Sequence, residues 1–159
     1  MIKVKLITVG TLKEDYLRAA AAEYEKRLGA FCRFEHIQLK EERLSDAPSQ
    51  NEIRAALDRE AVRITEQIPS SAFCIALCVE GKQLSSEELA EKIEDISMEK
   101  SEICLVIGSS FGLSDTIKQR ADMRLSVSRL TFPHQLMRVI LLEAIYRAFN
   151  IQRGTKYHK

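Results

Sequence analysis

The chain is expected to form a single α/β domain over residues 1–159, a mainly parallel sheet with helices on both faces. Three observations predict this. Strand-like and helix-like segments alternate along the whole length, which is the pattern of a parallel sheet wrapped by its own crossover helices. Two stretches, Ala72–Val79 and Ile103–Ile107, are apolar without a break, as strands buried on both faces are. The 159 residues suit one domain and suffice for a sizeable core.

The elements follow in order. Ile2–Val9 alternates as a strand. Leu12–Leu28 has helical spacing, and Gly29 stands where a left-handed C-terminal cap is expected. Phe31–Leu39 reads as a strand. After a polar stretch containing Pro48, a helix is expected from Asn51 to Ile68, stopped by Pro69. Ala72–Val79 is a central strand. Ser85 and Glu88 have capping-box spacing for a helix running to about Ile96. Ile103–Ile107 is another central strand. The loop Gly108–Ser114 leads to a short helix, Met123–Val127 is the last strand, and a helix is expected over Pro133–Ile151, with proline suited to its start.

That final helix is apolar nearly all round. Leu136, Val139, Ile140, Leu142, Ile145 and Phe149 are joined by Met137 and Leu141 on other faces. Such a helix needs burial on more than one side. One side can be its own core, and a second copy in a homodimer is the simplest cover for the other. Arg138, Glu143, Tyr146 and Arg147 interrupt this surface, at a cost unless each is paired or placed at a site.

Composition excludes some classes. Hydrophobic content of 45% and charged content of 30% are ordinary for a globular protein. No apolar run is long enough to span a membrane, and the first residues alternate as a strand and not as a signal peptide, so a cytoplasmic location is expected. The net charge of +1 hides an asymmetry: Lys118–Lys159 holds nine Lys or Arg against Asp122 and Glu143, while the preceding residues are acidic on balance. Arginine dominates the basic end, and its planar fork suits phosphate, which points to RNA. Cys32, Cys74, Cys78 and Cys104 lie in apolar strand-like stretches, with no Cys-x-x-Cys pair and no histidine at metal spacing. They are expected to be structural thiols, and no metal is expected. His36 reads as an ordinary edge residue.

Ligands of parallel sheets gather at the carboxyl ends of strands. Here those are the loops after Val79, Ile107 and Val127. The loop Gly108–Leu113 carries two glycines but matches neither the dinucleotide fingerprint nor a phosphate-binding loop, which disfavours a dehydrogenase or an NTPase.

Five ordered segments carry a resemblance. They are Ile2–Gly10, Glu23–Gly29, Gly81–Ser86, Val106–Gly108 and Thr131–Gln135, with Tyr157, His158 and Lys159 closing the chain. In this order they resemble the bacterial ribosomal large-subunit pseudouridine N3-methyltransferases, small members of the SPOUT class. The resemblance implies a trefoil knot in the C-terminal third, which local physics would not suggest because threaded connections are almost absent from folds. It implies S-adenosylmethionine (AdoMet) held by Leu77, Gly108, Val127, Ser128, Arg129, Leu130, Thr131 and Phe132, largely through backbone groups. It also implies methyl transfer to N3 of a pseudouridine in 23S large-subunit rRNA, on the assembled ribosome. Ser109 stands where the family commonly has a second glycine; a negative φ there would accommodate it.

The acceptor nitrogen is a weakly acidic imide, so the site needs a base or a group that stabilises the anion. Tyr157, His158, Glu143 and Arg138 are the catalytic candidates, with no single residue marked as the base; His134 is expected to pack at the helix start. The tail 155–159 lies past the last helix and is expected to add little to the core, ordering when RNA is present. Two other classes stay open on the residues alone. One is a non-catalytic RNA-binding module using the basic end; the other is an oxidoreductase, against which the missing glycine fingerprint speaks.

Overall fold

A computed structural model describes all residues, Met1–Lys159. Five strands, β1 (Lys3–Val9), β2 (Arg33–Leu39), β3 (Phe73–Gln83), β4 (Glu102–Ile107) and β5 (Met123–Ser126), form one sheet in the order β2-β1-β4-β3-β5. Every pairing is parallel. The helices are α1 (Asp15–Leu28), α2 (Gln50–Glu66), α3 (Ser86–Glu99), α4 (Asp115–Arg120) and α5 (His134–Gln152).

Alternate residues of the strands face opposite cores. Leu6, Ile75 and Leu105 pack with α1, α3 and α5. Ile7, Cys74, Ala76 and Val106 pack with α2 and α4. The four crossovers share one hand. Steps toward β2 (β1 to β2, β3 to β4) run over the α1 and α3 face, and steps toward β5 (β2 to β3, β4 to β5) run over the α2 and α4 face. A twisted strand feeding a helix back onto its own sheet imposes this uniformity.

The elements match the expected order with shifted ends. The Ser85 capping box forms as read, with Glu88 N–H donating to Ser85 Oγ at 3.1 Å and Ser85 N–H to Glu88 Oε2 at 2.7 Å. Gly29 does not take the left-handed cap; its φ is −58° and its N–H closes a further right-handed turn. β3 runs four residues beyond Val79. Its register against β5 jumps between Leu77 and Lys82, so Lys82 and Gln83 pair with Leu125 and Ser126 after an irregularity. Gly81 makes this possible, because a Cβ there would lie 2.7 Å from the backbone of Leu125 and 2.8 Å from that of Arg124. Pro133 flanks α5 as its N-cap and is not its first helical residue.

Three cysteines are fully buried and free. Burial pushes the Cys32 and Cys74 thiols up to about 11 and the Cys104 thiol up to about 12, so all three stay protonated and pack as small apolar groups. His36 lies on the edge strand between Thr8 Oγ1 at 2.8 Å and Glu25 at 3.2 Å. No helix is long and apolar enough to cross a membrane, and no cluster of three or more potential metal ligands occurs.

Candidate active site

A cleft of about 730 Å³ opens at the carboxyl ends of β3, β4 and β5, the end where a parallel sheet gathers its loops. Half of its lining is apolar, and its volume falls in the usual range for small-molecule sites. Leu77 and Cys78 come from β3, Gly108 from the turn after β4, and Val127, Ser128, Leu130, Thr131 and Phe132 from the loop after β5. Arg129, expected with them, does not line the cleft. His134 and Met137 contribute the start of α5.

Two loops shape the walls. Gly108–Gly112 is a tight turn in which Gly112 N–H donates to the Ser109 carbonyl at 2.8 Å. A Cβ on Gly108 would meet the Gly112 carbonyl oxygen at 2.1 Å. Closure of the loop on itself therefore demands glycine at this position. No residue other than glycine has positive φ, so Ser109 sits in the turn without backbone strain. In the second loop, Ser126 Oγ donates to the Ser128 carbonyl at 3.0 Å and Leu130 N–H donates to Ser128 Oγ at 3.0 Å. Neither helix nor strand takes up the backbone of 127–132.

The charge at the cleft is sparse. Lys118 Nζ and Glu80 pair at 2.6 Å on the rim, and the hydrogen bond from Lys118 holds the Glu80 carboxyl below its ordinary range. Burial lowers the His134 pKa, which favours a neutral imidazole against the cleft. Burial raises the Cys78 thiol.

The four catalytic candidates stand apart from this cleft within one chain; none of them lines it. Arg138 is 1% exposed. Its Nη1 donates to Gln38 Oε1 and its Nη2 to the Gly10 carbonyl, both at 3.1 Å, while its Nε has no partner. Burial lowers its pKa, partly countered by Glu25. Glu143, Tyr157 and His158 do come together. The Tyr157 hydroxyl donates to Glu143 Oε1 at 3.1 Å, Arg147 pairs with the same carboxylate at 2.6 Å, and Arg147 Nη1 lies 3.3 Å from His158 Nδ1. His158 Nε2 lies 2.7 Å from Glu87 Oε1 at the start of α3. Tyr157 also packs edge-on against Tyr146, with centroids 4.8 Å apart. The tail is thus docked on α5 and α3, although none of residues 155–159 is buried or joins either core. Burial, then hydrogen bonding with Tyr24 and Glu143, pushes the Tyr157 phenol up to about 12. At neutral pH it is a donor and not a base.

The sequence reading missed Glu60, a buried carboxylate behind the cleft wall. A signal was available: in α2 it falls four residues after Ala56 and four before Ile64, on the buried face, where a charge is out of place.

A family profile described as "Predicted SPOUT methyltransferase" matches residues 2–158. The chain belongs to the SPOUT methyltransferase family. Relatives over the same span include proteins named "Ribosomal RNA large subunit methyltransferase H". That of Streptococcus thermophilus is 50% identical over 159 residues, covering 99% of this chain and 100% of the relative. Those of Bifidobacterium adolescentis and Bacillus pumilus are 51% and 48% identical with the same coverage. A solved structure described as "a probable methylase family protein from Haemophilus influenzae Rd KW20" matches with TM-score 0.52 at 16% identity, covering 99% of this chain and 70% of that one. At that identity the likeness speaks for the α/β fold alone.

Proposed function

We propose that this SPOUT methyltransferase moves a methyl group from AdoMet to large-subunit rRNA, with N3 of a pseudouridine as acceptor, on the assembled ribosome in the cytoplasm. The observation that carries the reading is the cleft at the ends of β3, β4 and β5, built by seven of the eight residues expected to hold AdoMet. The names of relatives half identical over the full chain support rRNA as the substrate. When bound, AdoMet supplies an electrophilic methyl on a sulfonium.

The chain's own residues supply the rest. Leu77, Ile107 and Leu125 give an apolar floor, and the loop 127–132 offers backbone groups not used by regular structure. Orientation of both reactants accounts for a large part of such a rate enhancement. The Tyr157 hydroxyl and the Arg147 guanidinium, both held by Glu143 here, would stabilise a developing anion on turning from that carboxylate to the acceptor. Because that cluster does not line the cleft of its own chain, a homodimer in which one subunit's tail serves the other's cleft is the arrangement we favour. The partly exposed stripe Leu136, Ile140 and Ala144 on α5 is available for such an isologous contact. A trefoil knot belongs to the same reading. It is supported by the course of the chain from β5, at the sheet edge, back to α5 packed between α1 and α3.

Titration with AdoMet and, separately, NADH tests the cofactor, with binding expected only for AdoMet. Methylation assays on free rRNA, isolated large subunits and whole ribosomes test the substrate, with whole ribosomes expected to be modified fastest. A protein that binds RNA but not AdoMet would overturn the enzymatic reading.

A further inference from the structure

We propose that Glu60 is a positioning residue for the cofactor cleft, holding the loop Gly108–Gly112 through Ser109 and strapping it to the segment after β2. The proposal rests on the reading of that cleft as an AdoMet site. Glu60 and Ser109 are each 4% exposed. A buried carboxylate is costly unless hydrogen-bonded, and Glu60 divides its two oxygens between two parts of the chain. Its Oε1 accepts the Ser109 hydroxyl at 3.1 Å, and its Oε2 accepts the backbone N–H of Glu42 at 2.9 Å. A wall residue of the cleft is therefore held from behind by a group that also holds the backbone N–H of Glu42. A second, weaker link joins the same two segments, from Ser110 Oγ to Glu41 Oε1 at 3.4 Å.

The charged groups around Glu60 do not replace these bonds. Arg63, the nearby cation on α2, is engaged by Glu42 Oε1 at 2.9 Å, and Glu41 adds a like charge. Burial pushes the Glu60 carboxyl up, and the two hydrogen bonds oppose that. The strap also gives Ser109 a role of its own. A glycine there, as in the loops this sequence otherwise resembles, would leave Glu60 Oε1 without its partner. This chain thus combines a rigid hydroxyl anchor with a turn whose own glycines make it tight.

The test uses the full chain as wild type, Glu60→Gln, Ser109→Ala and the double variant. An amide has one acceptor oxygen, so glutamine can accept from only one of the two donors; its contact with the Ser109 hydroxyl must turn round into an amide N–H donating to Oγ, without charge assistance. AdoMet affinity is read by calorimetry, KM for AdoMet and for ribosomes by initial rates, and loop mobility by amide exchange at 40–44 and 108–112. Each single variant is expected to weaken AdoMet binding about tenfold, the loss of one charge-assisted hydrogen bond. The double should be no weaker than the worse single, because one strap is lost in each. KM for AdoMet should rise while KM for ribosomes does not, and amide exchange should quicken in both segments together. Singles that bind AdoMet like wild type, or a double weakened about a hundredfold, would overturn the strap alone. If Glu60→Gln fails to fold, Ser109→Ala decides by the same readouts. A wild type that binds no AdoMet would overturn the cleft reading, and with it the effect on affinity; amide exchange would still judge the strap.

Discussion

Tyr157 donates its phenolic hydrogen to Glu143 Oε1 at 3.1 Å, so the chain's end is fastened to its own last helix. Removal of residues 155–159 should therefore cost stability as well as activity. The hydrogen bond and the edge-on contact with Tyr146 are together worth about 1–2 kcal/mol. For a chain of this length that lowers Tm by about 2–8 °C, measurable by calorimetry. Methyl transfer to ribosomes should fall at least about tenfold, or roughly 1.4 kcal/mol of transition-state stabilisation. Wild-type turnover in the truncated protein would remove the tail from the mechanism.

The same contact sets a titration. The Tyr157 phenol is raised to about 12 in the fold, above about 10 for an unperturbed tyrosine. The neutral form is the one favoured by folding. Its stabilising contribution is complete below the unfolded value and is lost as pH rises from about 10 through about 12. The wild-type-minus-Tyr157→Phe ultraviolet difference spectrum should show one phenolate appearing near pH 12. A midpoint near 10 would mean that the tail is not docked.

Gly108→Ala should weaken AdoMet binding by at least about tenfold, and Gly108→Val by more, because the added Cβ collides with the Gly112 carbonyl and forces the turn open. Calorimetry on folded protein checks this. Wild-type affinity in Gly108→Ala would show that the turn does not shape the ligand site.

Arg138→Leu would strip donors from Gln38 Oε1 and the Gly10 carbonyl. The Gly10 carbonyl is buried while Gln38 is exposed and can turn to water, so one buried acceptor is left unpaired, at an expected cost of about 1–3 kcal/mol read as a shifted denaturant midpoint. A role for Arg138 in the chemistry would instead lower the rate with the midpoint unchanged.

Sedimentation at micromolar concentration should find a dimer that persists on dilution. Charge placed on the open stripe of α5, as in Ile140→Glu, should yield monomers with greatly reduced methyl transfer. A wild-type monomer with full activity would sink the shared-site arrangement.

Much of this was legible in the residues, and the exceptions have physical causes. Apolar runs marked the central strands because parallel strands are buried on both faces, and Ser85 with Glu88 marked a helix start because capping is a local hydrogen-bond problem. The extension of β3 to Gln83 was invisible because Glu80, Gly81, Lys82 and Gln83 carry no apolar pattern; Lys82 and Gln83 pair with Leu125 and Ser126 of β5, 43 residues on. Gly29 misled because glycine permits a left-handed cap without requiring one. For the site, strand-end logic located the cleft. The division of Glu60 between Ser109 and Glu42 joins three separated segments, and only the fold brings them together.

The bond from Arg138 to Gly10 spans 128 residues, and β1 lies between β2 and β4 in the sheet. This sets an order on biosynthesis. At about 5–20 residues per second, the side of β1 that will meet β4 stays open for roughly 5–20 s after the strand is made. The loop end of β1 waits longer still for α5 to arrive. An unpaired apolar strand edge is a template for wrong partners. A nascent chain halted before α5 would also lack Leu141, Leu142, Ile145, Ala148 and Phe149 from the larger core. Such a fragment should aggregate, so the protein becomes self-sufficient only when its last helix has been translated.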